Sequence, residues 1–172
     1  PTPEARAGEA LSVILVGHGD TASALLTAAR DICPHGLEDV HAVDAGSGDC
    51  AALSERMGAL MESVPDHHDM LLIVDIVGSS PWRRCVNSTM DRRAAIVLGG
   101  LSISMLLKLA MVDRRGMDAK SVADACAGSA KRAIVVSNVS AIDGFVVPGK
   151  YCTMRRRASR PRGLFVLQSL PV

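Results

Sequence analysis

Aromatic side chains are nearly absent: Trp82, Tyr151, Phe145 and Phe165 are the whole set among 172 residues. Proteins that bind RNA or single strands stack bases on aromatic platforms, so this composition argues against that class. Any core must be built from Val, Ile, Leu, Met and Ala. Net charge is small as well, +1 from nineteen Lys and Arg against eighteen Asp and Glu. It is unevenly spread, because Arg155, Arg156, Arg157, Arg160 and Arg162 fall within eight residues. Without that run, fourteen basic residues face eighteen acidic ones. A mildly acidic body with a basic, solvated tail lacks the stripe that duplex DNA requires, and no nucleic acid partner is expected. The five cysteines (Cys33, Cys50, Cys85, Cys126 and Cys152) include no C-x-x-C pair and no metal-ligand spacing with histidine. Neither zinc nor a disulfide framework is indicated, and a reducing, cytoplasmic compartment is expected.

Long apolar runs are also missing. Residues 94–107 carry no charge, but Gly99-Gly100 and Ser102-Ile103-Ser104 interrupt them well short of the roughly twenty residues a membrane span needs. A buried strand, a loop and a helix fit that stretch better. Residues 1–10 have no secretory pattern and read as a loose leader. Neither a G-x-x-x-x-G-K-[ST] loop nor a G-x-G-x-x-G fingerprint occurs, which disfavours nucleotide-hydrolysing and dinucleotide enzymes. No cofactor and no metal are expected.

What is present is an alternation of short apolar runs and amphipathic segments. Ser12 to Val16 (SVILV), Val40 to Val43, Met70 to Val74 (MLLIV) and Ala94 to Leu98 read as strands, the first and third as fully buried parallel ones. Between them, Ala22, Leu25, Leu26, Ala29 and Ile32 recur at helical spacing behind Asp20 or Thr21 as N-cap, and Leu53, Met57, Leu60 and Met61 mark a second helix. Ser80-Pro81 is a helix-start signature, with the helix running to about Met90. Ser104 to Val112 and a segment capped by Asp118 complete the helices. Four such alternations predict a doubly wound, mostly parallel α/β sheet of four strands with helices on both faces. Ile134 to Val136 and Phe145 to Val147 are candidates for a late antiparallel edge strand. The expected domain covers residues 11–148, with residues 149–172 an unplaced basic, then apolar, tail.

Ligands of open parallel sheets bind at the carboxyl ends of strands, at the switch point of strand order. The first strand delivers His18 there and the third delivers Asp75, each directly after its apolar run. Alone, either residue is explained as a turn or cap residue; their matching positions are what suggest chemistry. An imidazole nucleophile, a carboxylate to fix its tautomer, and helix N-termini for an anion suit a phosphorylatable histidine. Backbone N–H groups around Gly19 and Gly78, with Ser79 or Ser80, are expected to hold the phosphoryl oxygens. His67-His68 between Asp66 and Asp69 lies at the opposite end of its strand and reads as a solvated turn. His35 and His41 lack partners at ligand spacing, and Trp82 is expected to pack beneath the site.

Three blocks carry a family resemblance. V-I-L-V-G-H-G-D-T-A from Val13 to Ala22, L-I-V-D-I-V-G-S-S-P from Leu72 to Pro81 and L-G-G-L-S-I-S-M-L-L from Leu98 to Leu107 resemble, in order and spacing, the mannose-family enzyme IIA domain of the bacterial sugar phosphotransferase system. The resemblance spans roughly residues 11–140. It implies that His18 accepts phosphate from HPr and passes it to a IIB domain, that Asp75 is the carboxylate beside it, and that Ser80 is the serine of the G-S-P turn. It also implies a homodimer that exchanges a C-terminal strand, with membrane contact only through a permease complex. Departures are Ser79 for the second glycine, Val77 for a tryptophan, Ser102 for an asparagine and Ser104 for a proline. Two alternatives share the fold: a regulatory phospho-switch without sugar transport, and the phosphotransfer subunit that serves dihydroxyacetone kinase.

Overall fold

A computed structural model describes residues 10–46, 50–92 and 94–136. The chain divides into two compact units, Pro1–Ile134 and Val135–Val172. All the described helices and strands belong to the first, in the order β1 (Leu11–Gly17), α1 (Thr21–Ile32), β2 (Val40–Asp44), α2 (Cys50–Ser63), β3 (Asp69–Val74), α3 (Ser80–Thr89), β4 (Ala95–Gly99), α4 (Ile103–Met111) and α5 (Ala119–Ala133). The four strands form one sheet in the order β2-β1-β3-β4, and every neighbouring pair is parallel. The chain therefore leaves β1 toward β2 on one side and β3 on the other, which puts the switch point between β1 and β3.

Strand alternation divides the core between the two faces. On one, Val13, Leu15, Leu71 and Ile73 pack with Leu26 of α1, Leu106 and Leu109 of α4, and Val122 and Cys126 of α5. On the other, Ile14, Val16, Leu72 and Val74 pack with Leu53, Met57 and Met61 of α2 and Cys85 of α3. All six residues of β3 are buried, as a strand covered on both faces requires. Each fully buried Leu or Ile contributes roughly 1.5–3 kcal/mol, so this aromatic-poor core is held by many aliphatic contacts of similar size. Burial also pushes the Cys85 thiol up to about 12 and the Cys126 thiol up to about 11. Both act as packing groups.

Several expectations need correction. Asp20 stands at the N-cap position of α1, but its side chain makes no capping bond; a carboxylate from another strand does that work, as described below. Ser79, rather than Ser80, caps α3. Asp69 is buried at the start of β3 and accepts the Ala119 N–H at 3.2 Å, so only the preceding residues form the exposed turn. There His68 Nδ1 lies 3.0 Å from the Ser12 hydroxyl, and no group of three potential metal ligands occurs among the described residues. Ile134–Val136 form no strand. The α5 helix continues to Ala133 with Lys131 and Arg132 in its last turn, where positive charge favours the negative helix end. Phe145–Val147 and the tail lie outside the described residues. Among those described, no helix is long and apolar enough to cross a membrane.

Candidate active site

The end of β1 and the end of β3 are neighbours, with Val16 paired to Val74. His18 and Asp75 therefore leave the sheet side by side. The Asp75 carboxylate is tied down by two backbone donors: the His18 N–H to Oδ2 at 2.8 Å and the Ile76 N–H to Oδ1 at 2.7 Å. Its oxygens lie 3.1 and 3.0 Å from Nδ1 of the His18 ring. The histidine side chain remains 45% exposed while the aspartate side chain is only 11% exposed. A shielded carboxylate thus holds one nitrogen of an open imidazole. Burial raises the Asp75 pKa, but the His18 backbone N–H, the His18 ring and the Ile76 N–H together outweigh it and hold the carboxyl below the ordinary carboxylate range. An ionised Asp75 can only accept, so in the neutral ring it favours the tautomer with the proton on Nδ1 and the lone pair on Nε2.

The glycines expected at the site do different things. Gly19 (φ +57°) and Gly78 (φ +79°) both adopt the left-handed backbone that favours glycine. However, the Gly19 N–H already donates to the Gly46 carbonyl at 3.2 Å, so its part is to shape the turn. Around Gly78 the situation is open. The N–H groups of Val77, Gly78 and Ser80 have no hydrogen-bond partner among the described residues, and a Cβ built on Gly78 would meet nothing within 4 Å.

The two serines also divide the work. Ser79 donates its hydroxyl proton to the Ile76 carbonyl at 2.7 Å and accepts the Trp82 N–H at 3.3 Å, so it folds the loop back and starts α3. Ser80 follows it as the first helical residue, exposed and free to offer its hydroxyl. Ser79→Ala is expected to lower stability by about 1 kcal/mol through loss of the cap, whereas Ser80→Ala leaves it within about 0.5 kcal/mol. Paired urea melts of the two variants check this. Trp82 is half-buried and packs against the α2–α3 side of the core. A Cβ on Gly99 at the end of β4 would collide with Val77 and press on Trp82, so this glycine lets the β3–α3 loop lie close over the sheet edge. Ser102 and Ser104, at the start of α4, bond to each other at 3.1 Å.

The helix starts differ in a way that sequence reading missed. The N-terminus of α1 is occupied: Oδ1 of Asp44, the last residue of β2, accepts the N–H groups of Ala22 at 3.0 Å and Ser23 at 3.1 Å. At the start of α3 and in the loop before it, by contrast, the Val77, Gly78 and Ser80 N–H groups have no partner among the described residues. The reasoning that singled out Asp75, a carboxylate ending a strand beside β1, would have found Asp44 as well.

A family model described as the PTS system fructose IIA component, EIIA-man, matches residues 12–127. Among solved structures, the phosphotransferase system component EIIA from Streptococcus agalactiae is similar at a TM-score of 0.65 and 19% identity, covering 73% of this chain and 96% of that one. The mannose/sorbose specific IIA subunit from Enterococcus faecalis is similar at a TM-score of 0.66 and 16% identity, covering 76% and 96%. At such identities the likeness is one of fold. No curated protein sequence matches the chain.

Proposed function

The chain belongs to the EIIA-man family of the sugar phosphotransferase system, and from that premise we propose that it is a phosphohistidine carrier, taking a phosphoryl group from phospho-HPr on Nε2 of His18 and passing it to a IIB domain. The observation that carries the reading is the contact of both Asp75 oxygens with Nδ1, at 3.0 and 3.1 Å. It fixes the one tautomer in which Nε2 is nucleophilic.

In the forward step the Nε2 lone pair attacks phosphorus in line with the bond to the donor's imidazole nitrogen. The new N–P bond forms as the old one breaks, and the donor nitrogen recovers its electron pair. Positive charge developing on the His18 ring is met by Asp75, so the proton stays at Nδ1. Charge on the transferring oxygens is met by the N–H groups of Val77, Gly78 and Ser80 and by the Ser80 hydroxyl. Catalysis of this kind is positioning plus electrostatic stabilisation, and this chain supplies both without an acid or base that must change state.

The same open rim suits both partners in turn. Ile76 and Val77 are 56% and 64% exposed and stand directly after Asp75, giving a docking partner apolar contact beside the reacting nitrogen. A homodimer belongs to this reading: among the described residues β4 is a sheet edge whose five residues are all only half-buried, and unpaired edges are normally covered. Static light scattering at micromolar concentration is expected to give twice the chain mass; a monomer would refute this part.

Incubation with phosphoenolpyruvate, enzyme I and HPr tests the carrier role. The expected product is an acid-labile, base-stable phosphoprotein that loses its label when a IIB domain is added. Absence of labelling with active HPr would overturn the proposal. Labelling that no IIB domain discharges would leave a regulatory switch as the better reading.

A further inference from the structure

We infer that Asp44 is a positioning residue that sets how tightly the phosphoryl group is held, by filling the helix end nearest the nucleophile with a fixed negative charge. This rests on the carrier reading and deepens it.

Two helix N-termini converge on the rim, and each, left open, would attract an anion through free N–H groups and the positive end of its dipole. Only one is open. At α1 the second and third N–H groups, from Ala22 and Ser23, both end on Asp44 Oδ1, while the Thr21 N–H donates to the His18 carbonyl at 3.0 Å and the Ala24 N–H to the Asp20 carbonyl at 2.9 Å. No backbone N–H of that first turn remains to bind phosphate. The arrangement is also deliberate in position. Asp44 is paired to Gly17, one residue before the histidine, so its strand lies about 5 Å from that of the nucleophile.

The residues after it secure the same turn. Ala45 donates to the Gly17 carbonyl at 2.8 Å, and Gly46 and Gly19 exchange N–H···O bonds of 3.0 and 3.2 Å. The segment from Asp44 to Gly46 therefore clasps residues 17–23, with a carboxylate at its centre.

A helix needs only an acceptor there. A neutral asparagine would present an acceptor oxygen at the same reach, and at this spot a charge does something a neutral cap does not. It cancels the positive helix end and repels a phosphoryl dianion on His18. A carrier must give its phosphoryl group away, and an interaction that stabilised only the loaded state would slow release. With Asp44 in place, the phosphoryl oxygens are left to the weaker, solvent-exposed N–H groups at the start of α3.

The test is the equilibrium of phosphoryl exchange between phospho-HPr and the full chain, read as the ratio of loaded to free carrier against loaded to free HPr. Asp44→Asn keeps an oxygen acceptor and removes the charge. It is expected to shift the equilibrium toward the loaded carrier by roughly three- to tenfold, with a shift that shrinks as ionic strength rises and a melting temperature close to that of wild type. Asp44→Ser is expected to move the equilibrium in the same direction, so the test survives if one variant folds poorly. A merely structural cap would change the melting temperature and leave the equilibrium alone. An unchanged or reversed equilibrium in folded variants overturns this inference while leaving the carrier reading intact. A wild-type chain that accepts no phosphoryl group overturns both.

Discussion

Asp75→Asn is expected to slow phosphoryl transfer by about a hundredfold or more while leaving the fold in place. The wild-type carboxylate serves three donors at once: the His18 N–H at 2.8 Å, the Ile76 N–H at 2.7 Å and the Nδ1 proton. An asparagine offers one acceptor oxygen and one donor amide. If its oxygen stays with the backbone, the NH₂ faces Nδ1 and favours the tautomer with the proton on Nε2, which removes the nucleophile's lone pair. If it turns to serve Nδ1, a backbone N–H beside the nucleophile loses its partner. Either way, the charge that meets the developing imidazolium is gone. Rapid-quench measurement of transfer from phospho-HPr checks the rate; a variant as fast as wild type would remove Asp75 from the mechanism.

The same carboxylate leaves a signature in acid. Its folded pKa is held below the ordinary value, so its contribution to stability is fully present above the unfolded value of about 3.9 and is lost as pH falls through the lower folded value. Wild type is therefore expected to lose more stability than Asp75→Asn on going from neutral pH to strong acid.

The second large effect concerns the fold that brings the two strands together. Leu72→Ala, at a fully buried position of β3 facing α2 and α3, is expected to cost about 3 kcal/mol, within the 2–5 kcal/mol typical of such truncations. That corresponds to a fall in melting temperature of roughly 10 °C. Ile76→Ala, four residues on but 56% exposed, is expected to change stability by less than about 0.5 kcal/mol. Calorimetry of the pair separates the strand that positions the site from the loop that presents it. Equal losses would mean that the exposed loop, too, is part of the structural core.

Much of this was legible in the chain itself. The runs SVILV and MLLIV read as strands buried on both faces, and each leads into a chemically useful residue, so the pairing of His18 with Asp75 followed once β1 and β3 were placed as neighbours. Local ambiguity hid other features. In Ser79-Ser80-Pro81 either serine could start the helix, and only the bonds of Ser79 to Ile76 and Trp82 decide it. Capping rules, which look only at adjacent residues, could not find Asp44, whose partners lie 22 and 21 residues earlier; its place at the end of a strand beside β1 was the signal available. Ile134–Val136 looked like a strand because apolar β-branched residues favour one, but strand propensity needs a neighbour to pair with. Among the described residues they have none.

The most direct measurement of the central claim is nitrogen-15 NMR of the chain phosphorylated through HPr, with histidine ring nitrogens labelled. One histidine of five is expected to show phosphorus coupling, at Nε2, with a protonated Nδ1. That signal should vanish in His18→Ala, which should take up no acid-labile phosphate. Phosphorus coupling at Nδ1, or undiminished labelling of His18→Ala, would contradict the account.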